Sequence, residues 1–371
     1  MRRILWWTGW CAAYALGLVL LAGAGAWAWW QPDPEAPGTG TNALWARHQW
    51  VGETHTDAEY RAFARLLRDN RITDVYFHAG PFEPDGTVPT AKYRNASALL
   101  KALRTYAYRN ASALLKALRT YAPDVRAQAY LGQIRKVEGK GVIEIGDARV
   151  QQGILRTDAA MLDAGFAGIH YDFEPIYPDD TAFLRLLDRT RDLTRARGRL
   201  LSVALEQPPL ADALQPVFEA LAPRTGAAHY PPRPTDRFLR DVADRADQVA
   251  IMTYDTEMPT QALAGWHYAR HTERVLRLIG DRTTVFMGVP TYRPVTGWAE
   301  NLEVALRGVR RGVADLPTAP RRPYGVGVYA DWTTSPADWA RYRANWLAPK
   351  SGKPAQSATP HVTFPNVRPP R

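Results

Sequence analysis

His170, Asp172 and Glu174 occupy every second position of the segment G-F-A-G-I-H-Y-D-F-E-P, residues 165–175. Ile169, Tyr171 and Phe173 stand between them, which is the period-two alternation of a β-strand with two different faces. Side chains at i, i+2 and i+4 of a strand project to one side. A histidine and two carboxylates therefore share a face, and Pro175 ends further pairing directly behind them. In a parallel barrel such a strand end is where the chemistry sits. Taken alone, an Asp-x-Glu at a strand end is accounted for by capping or ion pairing.

Two later segments add to it. Residues 248–255 read Q-V-A-I-M-T-Y-D, and residues 285–292 read V-F-M-G-V-P-T-Y. The first segment resembles the strand-four signature of the family 18 glycoside hydrolases, the chitinase-like enzymes, usually D-G-x-D-x-D-x-E. Ala167 and Gly168 stand at its opening D-G, His170 at the middle aspartate, Asp172 at the last aspartate and Glu174 at the catalytic acid. The other two resemble that family's strand-six M-x-Y-D and strand-seven G-x-P-x-Y. The S-x-G-G usual on strand three is absent, and Tyr130-Leu131-Gly132-Gln133 takes its place.

The resemblance implies a substrate-assisted retaining mechanism, in which the N-acetyl oxygen of the sugar is the nucleophile. It makes Glu174 the general acid and then base, with its pKa raised by partial burial and a neighbouring negative charge. Asp172 would orient the N-acetyl group, Tyr254 would hydrogen-bond the reacting acetamide, and Asp255 would help to hold the sugar. It implies neither a metal nor an organic cofactor. The substrate would be a β-linked polysaccharide or oligosaccharide containing N-acetylglucosamine. His170 cannot supply the second negative charge, although a neutral imidazole can hydrogen-bond Asp172.

Two other readings stay open. One is a barrel that binds glycan without cleaving it. The other is a metal-dependent hydrolase using His170, Asp172 and Glu174 with Glu53, His55, His78 or His229, although no histidine pair has a tight metal-ligand spacing. Glu206, at the end of a fifth strand, and Glu257, after the sixth, are candidate second carboxylates or sugar-hydroxyl binders. Tyr292, Trp298, Tyr329 and Trp332 are candidate stacking platforms for a pyranose ring, whereas Trp339 and Trp346 read as packing.

These residues need a scaffold that brings strand ends together. Strands are expected at 43–51, 73–78, 125–131, 200–206, 249–254, 284–289 and 324–329, with another inside the segment 165–175 that ends at Glu174. Helical stretches alternate with them, one opening at Thr56 with Glu59 three residues on, another at Ser335-Pro336-Ala337-Asp338. Eight β/α units point to an α/β fold, a (β/α)₈ TIM barrel. Residues 93–107 are repeated without change at 108–122. Fifteen added residues turn a helix by roughly 60° beyond whole turns, so both copies cannot present one face to the barrel, and one is expected to protrude.

The chain has 371 residues, 46% of them hydrophobic, enough for one large core. Its net charge of +10 comes with no nucleic-acid motif, so no nucleic-acid partner is expected, while anionic lipid or wall polymers suit a basic surface. Residues 1–30 open with Arg2 and Arg3 and then run apolar to Trp30, long enough for an uncleaved transmembrane anchor. A signal peptide cleaved near Ala26-Trp27-Ala28 is the competing reading. Both readings place the rest of the chain outside the cytoplasm, and Cys11, the one cysteine, lies in that segment. Residues 31–42 read as a linker, 43–347 as the barrel and 348–371 as a tail too poor in apolar residues to fold. Oligomeric state is not legible.

Overall fold

The computed structural model describes residues 40–88, 111–136, 139–209, 233–256, 258, 260–292 and 299–347. Eight parallel strands close into a barrel in sequence order. They are β1 (Ala43–Ala46), β2 (Asp74–Pro81), β3 (Arg126–Ile134), β4 (Gly168–Glu174), β5 (Leu200–Glu206), β6 (Gln248–Met252), β7 (Thr284–Pro290) and β8 (Tyr324–Tyr329). Each pairs with the next, and β8 returns to β1 through Ala43↔Gly327 and Leu44↔Val328.

The alternation read from the sequence determines which side chains go where. In β4, Ile169, Tyr171 and Phe173 turn outward and are buried under the helices. Phe173 meets Phe183 of the helix Thr181–Arg195 edge-on at 6.3 Å. Removing an aromatic ring of this kind from water contributes about 2 kcal/mol. The even-numbered side chains turn into the barrel, where they form layers. At the bottom, the Asp74 carboxylate accepts hydrogen bonds from Arg126 (2.6 Å), Gln128 (3.0 Å), Gln248 (2.8 Å) and the Thr73 hydroxyl (2.8 Å). Above it, Trp45, Tyr76, Ala250 and Phe286 make a small apolar plug.

Local start signals hold where they were read. Thr56 and Glu59 close a reciprocal capping box on the helix Asp57–Asp69, and Ser335 and Asp338 do the same for Pro336–Asn345. Trp339 and Trp346 are packing residues, the latter fully buried with its ring N–H on Asn42 at 2.7 Å.

Several boundaries differ from the sequence reading, with β2 running on to Pro81 and β3 to Ile134 among them. β1 ends at Ala46 instead of residue 51, because Asp331 draws the chain away: its carboxylate accepts from the Arg47 backbone N–H (3.1 Å) and the Trp50 ring N–H (2.8 Å), and a short helix Gln49–Gly52 follows. β6 ends at Met252, two residues early, as the chain bends into Asp255, whose φ is +58°. The helix ahead of β7 spans Gln261–Ile279 and is capped by Thr260.

In the repeated segment, residues 111–121 are helical and bury Leu114, Leu115 and Leu118 in the core. The first copy, 93–107, lies outside the described residues, as do the segment 1–30, most of the linker, the tail, His229, Glu257 and Trp298. Among the described residues no helix is long and apolar enough to cross a membrane.

Candidate active site

At the C-terminal mouth of the barrel β3 and β4 run side by side, pairing Tyr130 with His170 and Gly132 with Asp172. The approach at Gly132 is close. A Cβ there would lie 2.1 Å from the Asp172 carbonyl oxygen, so the backbone tolerates only glycine. Two residues below, the Tyr130 hydroxyl donates to Asp172 Oδ2 at 2.6 Å. Asp172 Oδ1 is buried and has no hydrogen-bond partner among the described residues. One oxygen is thus held in place and the other is unpaired among the described residues.

Burial pushes the Asp172 carboxyl upward, opposed by the Tyr130 hydrogen bond. Glu174, two residues on, is pushed up to about 7, first by burial, then by the Asp172 charge and then by Glu206. A carboxyl poised near neutrality can give up a proton and take one back. Glu206, at the end of β5, is also pushed up to about 7 by burial, with Arg233 pulling the other way.

Across the mouth, Tyr254 lies on Tyr329, ring centroids 4.9 Å apart and 23° from parallel. Gly288 makes room for it, since a Cβ there would come within 2.8 Å of the Tyr254 ring. Burial raises the Tyr254 hydroxyl well above its ordinary value, so it remains a proton donor. Tyr292 donates to Asp255 Oδ1 at 2.7 Å, and Tyr329 meets Trp332, which is 41% exposed, edge-on at 5.5 Å. Asp172, Glu174, Tyr254, Asp255, Glu206, Tyr292, Tyr329 and Trp332 therefore all stand at one barrel end, on β4, β5, β6, β7, β8 or the turns directly after them.

His170 is the exception. It is fully buried in the layer beneath the mouth, stacked on Tyr76 at 3.6 Å, with Nδ1 on the Ser202 hydroxyl at 2.8 Å. It makes no hydrogen bond to Asp172, and its Nε2 has no partner among the described residues. Burial lowers its pKa to about 3, so the ring is neutral. His170 therefore lies one layer below Asp172, and in this structure the inward face of β4 reaches the mouth at Asp172.

Among the described residues, which leave out His229, the metal-ligand set read from the sequence does not converge. His55 is stacked on Trp50 at 4.6 Å with Nε2 on the Gln49 carbonyl, and Glu53 is exposed. Among the described residues no three His, Cys, Asp or Glu side chains form a metal-binding group.

Sequence reading missed Tyr130 and Glu300. Tyr130 shares the inward parity of β3 and could have been found by aligning that strand with β4. Glu300, buried, accepts from the Thr256 backbone N–H (2.9 Å) and the Tyr268 hydroxyl (2.6 Å), pinning the turn that carries Tyr254 and Asp255. Nothing local in the sequence marks it.

No protein-family model matches the chain, and no curated protein is similar to it in sequence. Solved structures do match. A class V chitinase from Pseudomonas fluorescens Pf-5 superposes with a TM-score of 0.52 at 12% identity, over 82% of this chain and 99% of that one. The spore cortex-lytic enzyme SleL of Bacillus cereus gives 0.48 at 14% identity over 83% and 75%. A chitinase from Chromobacterium violaceum gives 0.49 at 13% over 82% and 98%. At these identities the likeness is one of fold, and the chain is a closed (β/α)₈ barrel of the kind that chitinases share.

Proposed function

We propose that this chain is a glycoside hydrolase of the family 18 type, acting on a β-linked glycan that contains N-acetylglucosamine. The observation that carries the reading is the pair at the end of β4: Asp172, held through Oδ2 by Tyr130 with Oδ1 unpaired among the described residues, beside Glu174 with a pKa of about 7. Glu174 protonates the leaving glycosidic oxygen and then takes a proton from the incoming water. Asp172 Oδ1 accepts the acetamide N–H, which turns the acetamide oxygen toward the anomeric carbon. Tyr254 donates to that acetamide, Asp255 holds the sugar and the exposed ring of Trp332 gives the next pyranose a stacking face. The names of the matching structures, chitinases and a cortex-lytic enzyme, support this substrate class. The apolar segment 4–30 supports an anchor that holds the barrel at the outer face of a membrane.

The test is incubation of the purified protein and its Glu174→Gln variant with chitin oligosaccharides, peptidoglycan and partly acetylated glucosamine polymers, reading products by mass. Cleavage by the parent is expected to fall by about a thousandfold in the variant. Binding by both without cleavage by either would make the barrel a glycan-binding protein, the outcome that a neutral His170 in place of an aspartate would then explain.

A further inference from the structure

We propose that Glu206 works through Glu174: the two carboxyl groups share one proton, and Glu206 keeps Glu174 protonated as the acid of the hydrolysis proposed above, on which this inference rests. The register of β4 and β5 pairs His170 with Ser202 and Tyr171 with Val203, and the His170–Ser202 hydrogen bond shows that even-numbered residues of both strands face inward. Continued along both strands, that register sets Glu174 beside Glu206, the last residues of β4 and β5. Both line one small cavity with Phe173, Ile176, Pro234 and Met252, and every other residue of its lining is apolar. Two carboxylates in an apolar recess cannot both ionise cheaply, so one proton is retained between them.

The other groups that face the pair do not supply that proton. On β3 and β4, Tyr130 and Asp172 are already bonded to each other. On β6 and β8, burial keeps the Tyr254 and Tyr329 hydroxyls protonated, the latter with a pKa of about 12. Arg233, ahead of the helix Asp236–Ala243, lowers Glu206 and not Glu174, so the two carboxyls are unequal. Arg233 draws Glu206 toward the anion, and the Asp172 and Glu206 charges draw Glu174 toward the acid. Pairs of carboxyls held apart in this way divide the roles of charge and proton donor.

The test is a ¹³C NMR titration of the full chain labelled at glutamate Cδ, with the Glu174 signal assigned by its loss in Glu174→Gln. In Glu206→Gln the Glu174 midpoint is expected to fall by about one pH unit, and Glu206→Asp, which keeps the charge, should leave it near the parental value. Where hydrolysis is measurable, the alkaline limb of kcat/KM should move to lower pH in Glu206→Gln and not in Glu206→Asp. An unchanged Glu174 midpoint in a folded Glu206→Gln protein overturns the inference, whatever the activity. A shifted midpoint in a chain that cleaves no glycan keeps the carboxyl pair and removes the hydrolase reading.

Discussion

The two ends of this barrel treat buried carboxylates in opposite ways. At the bottom, both Asp74 oxygens are bonded, to an arginine, two glutamine amides and a hydroxyl. At the top, three carboxyl groups crowd together with one oxygen of Asp172 unpaired, and burial pushes all three toward the protonated form. The same architecture thus spends one layer on stability and leaves another poorly satisfied. A group whose hydrogen bonds are complete has nothing to offer a ligand, whereas one left short can bind a ligand or exchange a proton.

That contrast can be broken from either end. The largest effect is expected at the bottom: Asp74→Leu strands the Gln128 and Gln248 amides and the Arg126 charge, and should cost about 3 kcal/mol in urea unfolding. Any glycan cleavage per folded molecule should survive, because the mouth is a separate layer. A comparable loss of activity without loss of stability would mean that the two ends are not independent.

Tyr130→Phe removes the donor that holds Asp172 Oδ2. Activity should fall about tenfold. The hydrogen bond holds the Asp172 carboxyl down, so without it the acid limb of the pH profile should move to higher pH. Stability should change little, since the mouth contributes less than the bottom. An unmoved acid limb would mean that Asp172 is not oriented through Tyr130.

The smallest effect sharpens the comparison through pH. Glu174 has a folded pKa of about 7 against 4.5 for the free side chain, so the native state holds the proton more tightly than the unfolded chain. Its neutral form costs nothing below pH 4.5, and stability is lost as pH rises through 7. Glu174→Gln should therefore match the parent in Tm near pH 4 and exceed it by a few degrees near pH 8. An offset equal at both pH values would show that the glutamate is not strained by ionisation.

How much of this was legible before folding depends on distance along the chain. β5 and β8 were read with their observed boundaries and β4 with its observed end, because an alternating strand bounded by turn residues carries its signal in seven residues or fewer. β1 was read too long because what ends it is Asp331, some 280 positions away. His170 was placed on the correct face of its strand but at the wrong depth. Parity tells which way a side chain points, and only the packing of Tyr76 and Trp45 around it shows that the barrel closes over it.

The sequence by itself determined the eight alternating units and their inward and outward faces, which are matters of local periodicity, while Tyr254 and Asp255 stood out by the resemblance of their segment to M-x-Y-D. Only the tertiary structure decided that Tyr130 holds Asp172, that Glu206 stands by Glu174 and that Glu300 pins the Tyr254 turn. Those contacts join strands and helices far apart in the chain, and the burial that moves the carboxyl protons exists only once the barrel has closed.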